Sequence, residues 1–233
     1  MKHSNRKFLL IVLVPAFLEV FIFLIFPILG TGAISFMDYN PLQTQNRFVL
    51  FDNYKTLIHD EYFWIALKNT LVFTVVTVTL NILTALALST MITQLRSNKS
   101  RSFFRMIVFL PCIAPMVASS VVWSRSLYAT NGLFNNLLKS VGFSPIPWIS
   151  DARYLMLSII IFTIWVDVGY NTILFSAGMD GIPQDMYSAA QIDGAGRWKL
   201  FTKITLPLLG RTTTFVTLMT LISHFQMFAQ FNI

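Results

Sequence analysis

The 233-residue chain is short of charge: only 12% of its residues are Asp, Glu, Lys or Arg, whereas an ordinary soluble domain carries roughly a quarter. Against that scarcity stand 55% hydrophobic residues, 22 of them Phe, more apolar area than a water-soluble fold of this size hides without large exposed patches. Cysteine is nearly absent as well. The single Cys112 sits in an apolar run beside Pro111, which excludes an internal disulfide framework and a thiolate metal cluster. Acidic residues are the rarer sign, 10 against 17 Lys and Arg. The basic residues nevertheless fall in short groups between apolar runs, as where membrane segments end, and this argues against nucleic acid as a partner. No G-x-x-x-x-G-K-[ST] phosphate loop, HExxH or paired-Asp motif occurs. The chain therefore lacks the residues for hydrolysing ATP and shows no hydrolytic centre of its own.

What the chain does have is long apolar runs. Crossing ~30 Å of hydrocarbon takes ~20 helical residues, and five segments meet that demand, approximately 8–29, 66–92, 106–124, 155–178 and 207–230. The expected fold is all-α, a single polytopic helical membrane domain over 1–233 with about five transmembrane helices. The first run is too long for a signal-peptide core and no small-residue cleavage pattern follows it. Lys2, Arg6, Lys7, Arg96, Lys99, Arg101, Arg105, Arg197, Lys199, Lys203 and Arg211 all fall on one side, and Arg47, Lys55, Lys68, Arg125, Lys139 and Arg153 on the other. The positive-inside rule places the first group, and with it the N-terminus and the 179–206 loop, in the cytoplasm. Five spans then leave the C-terminus outside, at an abrupt Gln230-Phe231-Asn232-Ile233 with no polar tail, which suggests a chain cut short.

Polar side chains inside the runs carry the next information. Thr70, Thr74, Thr77, Asn81 and Thr84 recur at steps of four and three, one stripe along a helix that is otherwise Val, Leu, Phe and Ala. In lipid such a stripe faces protein or a water-filled path, as interhelical glue by the simpler reading. Pro111 and Pro115 remove two backbone donors four residues apart, giving either a plain kink or a broken helix. Asp167, with Tyr170 and Asn171 one turn later, puts a carboxylate in a membrane segment. It either accepts hydrogen bonds from the hydroxyl groups of a ligand or pairs structurally with a neighbour. Thr213, Thr217, Thr220 and His224 repeat the stripe in the fifth run, where His224 is a candidate for lining a cavity with Thr217 and Thr220. Glu19 stands alone among apolar neighbours, and packing against a partner subunit suits it better than chemistry.

The 28 residues Met179 to Leu206 hold two short amphipathic units. Pro183 and Asp185 suit a helix start. Met186, Ala189, Ala190 and Ile192 give a shallow apolar surface, and Gly194 and Gly196 end the unit. Trp198, Phe201 and Ile204 then share a face opposite Lys199 and Lys203, as in a helix lying on the membrane surface, and Pro207 opens the last run. A mere connector needs none of this; the loop looks built to be gripped by another protein.

Tyr187-Ser188-Ala189-Ala190, Gly194 after three further residues, and Ile204, Leu206 and Pro207 after nine more resemble the EAA loop of binding-protein-dependent ABC transporter permeases. That pattern reads E-A-A, three residues, G, nine residues, I-x-L-P. Ser188 replaces its Glu, so the carboxylate contact is missing while the docking shape is kept. Ile182-Pro183, the run from Ala189 through Asp193-Gly194-Ala195, and Ile204-Thr205-Leu206-Pro207 are similar to the carbohydrate-uptake branch. Phe51-Asp52-Asn53-Tyr54, Asn69-Thr70, Phe104-Arg105, Leu110-Pro111 and Trp123 extend the likeness over nearly the whole chain. The resemblance implies an importer subunit in a bacterial or archaeal cytoplasmic membrane, forming the path for a sugar or related polyol or sugar phosphate. It implies a second permease subunit, by the branch a different one, two ABC ATPase subunits that bind ATP and Mg, and an extracytoplasmic solute-binding protein. It further implies no cofactor in this chain and a docking loop made by Tyr187, Ser188, Ala189, Ala190, Asp193, Gly194, Ile204, Leu206 and Pro207. Such permeases usually have a further span beyond the point where this chain stops. The competing reading is an ion- or proton-coupled secondary carrier with Asp167, Glu19 and His224 as a proton relay.

Overall fold

The computed structural model describes residues 2–42 and 46–227, with side chains from residue 11 onward. The end of the last expected run, 228–230, and the terminal Phe231-Asn232-Ile233 lie outside the described residues. The polypeptide divides into two compact units, Met1–Lys68 and Asn69–Ile233.

In the first unit, α1 (Lys2–Val20) passes through a π-helical turn, Phe21–Ile25, into α2 (Phe26–Ile34). The wide turn has a local cause: Pro27 has no N–H and its ring crowds the carbonyl four residues back, so the chain closes an i+5 bond, from the Phe26 N–H to the Phe21 carbonyl, just before it. None of the window Ile11–Ile34 is buried, and Glu19 is among its exposed side chains. A two-residue ribbon, β1 (Met37–Asp38) with β2 (Arg47–Phe48), is antiparallel, Met37 opposite Phe48. Helix α3 (Asp52–His59) clamps it. Asn53 Nδ2 donates to the Ser35 and Met37 carbonyls at 2.9 Å each, Tyr54 and Ser35 hydroxyls meet at 2.7 Å, and the Phe36 and Phe51 rings pack edge-on at 5.5 Å. The Phe51-Asp52-Asn53-Tyr54 signature is thus a set of bonds that closes this ribbon. Helix α4 (Glu61–Thr93) starts in this unit and continues into the next.

The second unit holds the rest: α5 (Asn98–Ile113), α6 (Met116–Val122) with a π turn Trp123–Leu127, α7 (Leu133–Ser140), α8 (Ala152–Asp180), α9 (Gln184–Ile192), α10 (Arg197–Leu200), a π turn Phe201–Thr205, α11 (Leu206–Leu208) and α12 (Gly210–Phe225). Among the described residues three helices are long and apolar enough to cross a membrane, or up to five when each of two bent pairs is one span. The all-α, multi-pass reading therefore holds. One open alternative is settled and one boundary needs correction. The third run is a broken helix, 98–113 followed by 116–127 at 93°. Pro111 rides inside α5, and the break falls at Ala114, forced extended (ψ 136°) by Pro115 after it. The last run does not begin at Pro207. The helix from Arg197 continues to Leu208, accommodating Pro207 behind its π turn, and turns by 67° into α12 at Leu209, whose side chain is 1% exposed and holds the elbow in the core.

Helix α5 runs along α8 at a separation only glycine permits. A Cβ on Gly169 would collide with the Val108 backbone, coming within 2.8 Å of its carbonyl carbon and 2.9 Å of Phe109 Cα. At the α9 end the core is Ala85, Leu86, Val168, Phe175, Met179, Ile182, Leu209 and Val216. Toward the other end Trp123, Tyr128, Trp148, Phe162 and Val166 form an aromatic cluster. It is tied by fully buried Asn135, whose Oδ1 accepts from the Ile146 N–H and from Trp148 Nε1 while its Nδ2 donates to the Ala129 and Ile146 carbonyls.

Candidate functional site

Two places collect the residues expected to act. The first is the middle of the α4–α8–α12 bundle. Thr74, Thr77 and Asn81 are fully buried, as a polar stripe facing protein requires, whereas Thr70 is half-buried and Thr84 exposed with its hydroxyl donating to the Leu80 carbonyl. The buried line instead continues through Ala85 and Ser89, the rows a neighbouring helix covers. Asn171 Nδ2 donates to Asn81 Oδ1 at 2.7 Å and to Thr220 Oγ1 at 3.0 Å, so one amide joins three helices. Such bonds are worth about 0.6–2 kcal/mol in membranes.

One turn away lies Asp167, partly exposed, with His224 buried opposite. His224 Nδ1 is 2.7 Å from the Thr220 carbonyl, an acceptor, so Nδ1 carries the hydrogen. His224 Nε2 and Asp167 Oδ2 then face each other at 3.7 Å, too far to bond, and neither has a hydrogen-bond partner among the described residues. With neutral imidazole and ionised carboxylate both atoms are acceptors, so a hydroxyl hydrogen or a proton is the group that satisfies this gap. Tyr170 is 52% exposed although it neighbours buried Asn171, because adjacent helical residues point about 100° apart. Thr217 is half-buried on α12. Asn171 and Thr220 are therefore tied up in the interhelical bond, while Asp167 stays partly exposed with a buried, unpartnered Oδ2 and Tyr170 stays exposed.

The second place is the segment from Met179 to Leu208. It folds as the two amphipathic units expected of it. Gly194 adopts φ +75°, a left-handed turn that ends α9 with the Ala195 N–H on the Ala190 carbonyl, the position where glycine is the default. Ser188, Ala189 and Asp193 are exposed and Ala190 half-buried. Ile192 is 87% and Trp198 76% exposed, large apolar side chains left mostly open among the described residues. Tyr187 points the other way: it packs against the core and its hydroxyl meets Thr205 Oγ1 at 2.9 Å. Ile204 is half-buried, and Leu206 and Pro207 are exposed on the helix leading to the elbow. Behind α9 opens a cavity of about 670 Å³ lined by the ends of α4 and α8, Arg101, and residues of α9 and α10. Arg105 donates to Asp180 at 2.7 Å beside it. The Thr205 partner of Tyr187 and the Arg105–Asp180 pair escape sequence reading, since residues 18 and 75 apart carry no local pattern. No group of His, Cys, Asp and Glu able to hold a metal occurs among the described residues.

A family model described as the binding-protein-dependent transport system inner membrane component matches residues 81–231. The lactose transport system permease protein LacF of Rhizobium radiobacter is 34% identical over 92% of this chain and 71% of its own. The trehalose/maltose transport system permease protein MalF of Thermococcus litoralis is 32% identical over 90% of this chain and 70% of its own. Among solved structures, a chain of a bacterial alginate ABC transporter, in complex with an alginate pentasaccharide-bound periplasmic protein, superposes with a TM-score of 0.81 at 28% identity, covering 94% of this chain and 73% of that one.

Proposed function

The chain belongs to the family of binding-protein-dependent transport system inner membrane components, and from that premise we propose that it is one membrane-spanning half of an ABC importer for a sugar or oligosaccharide. Its relatives carry lactose and trehalose/maltose in their names, and the alginate transporter was solved with a saccharide-loaded periplasmic protein. A solute-binding protein on the outer face delivers the cargo, a second permease subunit completes the path, and two ATPase subunits on the cytoplasmic face supply the work. The N-terminus and α9 lie in the cytoplasm, and the membrane is a bacterial or archaeal cytoplasmic membrane.

The observation that carries this reading is the exposed α9 segment. Small residues Ser188 and Ala189 allow close approach, while Ile192 and Trp198 leave apolar area uncovered. A helix of this kind fits a groove on a partner, and the Gly194 turn sets the angle at which it is presented. In the bundle, Asp167 and Tyr170 face the path, Thr217 contributes from its half-buried place on α12, and Asn171, Thr220 and His224 form the wall that aims the carboxylate. A sugar hydroxyl donates to the partly exposed Asp167 carboxylate, and the tyrosine ring offers a stacking face to the sugar's C–H surface. The family premise does not favour a gradient-driven carrier.

Replacing Gly194 by Trp tests the docking role. A Cβ there meets nothing within 4 Å, so the fold tolerates the side chain, but φ +75° strains any L-residue by about 1–2 kcal/mol. The variant is expected to insert in the membrane at parental level and to lose the ATPase on affinity purification. Retention of the ATPase with unreduced hydrolysis overturns the assignment.

A further inference from the structure

We infer that the Tyr187–Thr205 hydroxyl pair is the latch that makes α9 and the elbow of the last span move as one body; this rests on the proposal that α9 receives an ATPase. Among the described residues, this pair is the one side-chain hydrogen bond from α9 to another helix; the other side-chain bond of α9, Ser188 to the Gln184 carbonyl, stays within it. The cavity behind α9 separates most of that helix from the ends of α4 and α8. A helix attached by so little would swing on Gly194 and Pro183 when pulled, and the pull would be lost in the loop.

The location of the partner decides what the latch does. Thr205 is 7% exposed and closes the π turn immediately before Leu206-Pro207. Four residues on, Leu209 leaves helical geometry and the chain turns by 67° into α12. The Leu209 N–H also donates to the Thr205 carbonyl at 2.9 Å. Thr205 therefore touches α9 through its side chain and the elbow through its backbone. Its Oγ1 lies 3.4 Å from the Leu200 carbonyl, so threonine donates there and accepts from the tyrosine. A displacement applied to the exposed face of α9 reaches Thr205 through the rigid tyrosine ring and is delivered at the bend of α12, the helix that bears Thr217, Thr220 and His224. Tyr187 and Thr205 are positioning residues in this scheme.

The test uses the complete transporter, this chain with its second permease and ATPases, in lipid nanodiscs. Nitroxides at Asp185→Cys on α9 and Ile222→Cys on α12, in a Cys112→Ser background, report the distance by double electron–electron resonance, nucleotide-free and trapped with ADP and vanadate. The parent is expected to give equally narrow distributions in both states. Thr205→Val and Tyr187→Phe should broaden the trapped distribution by about 2 Å or more, the scale of helix shifts in switching transitions, and the double variant no further than either single one. Thr205→Ser, which keeps the hydroxyl, should restore the parental width, and Thr205→Val should retain the ATPase with its KM for ATP. Parental width in Thr205→Val overturns the latch, as does equal broadening in Thr205→Ser, which would make the contact one of packing. If the ATPase binds none of the proteins, parent included, the docking proposal falls and the latch with it.

Discussion

The α4–α8–α12 midsection and the α9 segment invert each other's chemistry. In the midsection, Asn81, Asn171, Thr220 and His224 are buried and the outward surface is apolar; in the α9 segment Ile192 and Trp198 are exposed while the polar hydroxyls of Tyr187 and Thr205 turn inward. On the proposed topology, the two surroundings account for the difference. A helix in hydrocarbon gains nothing by burying leucine and is held by polar bonds and close backbone approach. A helix in water that leaves apolar side chains open is incomplete until a partner covers them.

That contrast makes a substitution's cost depend on its region. The largest effect is expected from Gly169→Leu, which forces backbone of α5 away from α8. A loss of about 3 kcal/mol, read as a fall in the detergent-solubilised protein's midpoint of thermal aggregation, should contrast with an unchanged midpoint for Gly196→Leu in the loop, where a Cβ meets nothing within 4 Å. Equal midpoints for the two glycines would remove the contrast. Next is Asp167→Ala. Among the described residues the carboxylate's buried Oδ2 has no hydrogen bond to lose, so the midpoint should hardly move, whereas binding-protein-dependent sugar uptake into vesicles should fall about tenfold or more, the worth of one charged hydrogen bond. Uptake that survives would return Asp167 to the structural set. The smallest expected effect is Asn171→Leu, about 1 kcal/mol from parting three helices, against less than 0.5 for the exposed Gln191→Leu. A larger loss for Gln191→Leu would show that the polar cluster is not what joins the helices.

Much of this was legible beforehand, because lipid imposes rules that act locally. The apolar runs, the two amphipathic units and the glycine stop at Gly194 all follow from composition and spacing. So did the buried face of α4 as far as Asn81. It failed at Thr84, since a strict three-and-four step drifts off the covered rows when the next buried position is Ala85. The two bends were less legible. Both Pro111 and Pro115 are able to break a helix, and the chain broke at Pro115, with Ala114 extended before it. Pro207 looked like the start of a span, yet a π turn carried the helix through it, and the break moved to Leu209, where the core takes the side chain.

The sequence by itself determined the solvent, the number of long apolar segments and the family's loop motif, because each depends on residues within one or two turns of each other. Only the tertiary structure decided which polar groups remain available. Asn171 and Asn81 are 90 residues apart and Asn171 and Thr220 are 49 apart, and whether they meet is set by how three helices rotate and slide against one another. The same packing spends Asn171 and Thr220 as joints and leaves Asp167 partly exposed, although all lie within a turn or two in their own helices. A hydrogen bond formed in hydrocarbon removes both partners from other work, and the sequence does not say who is paired with whom.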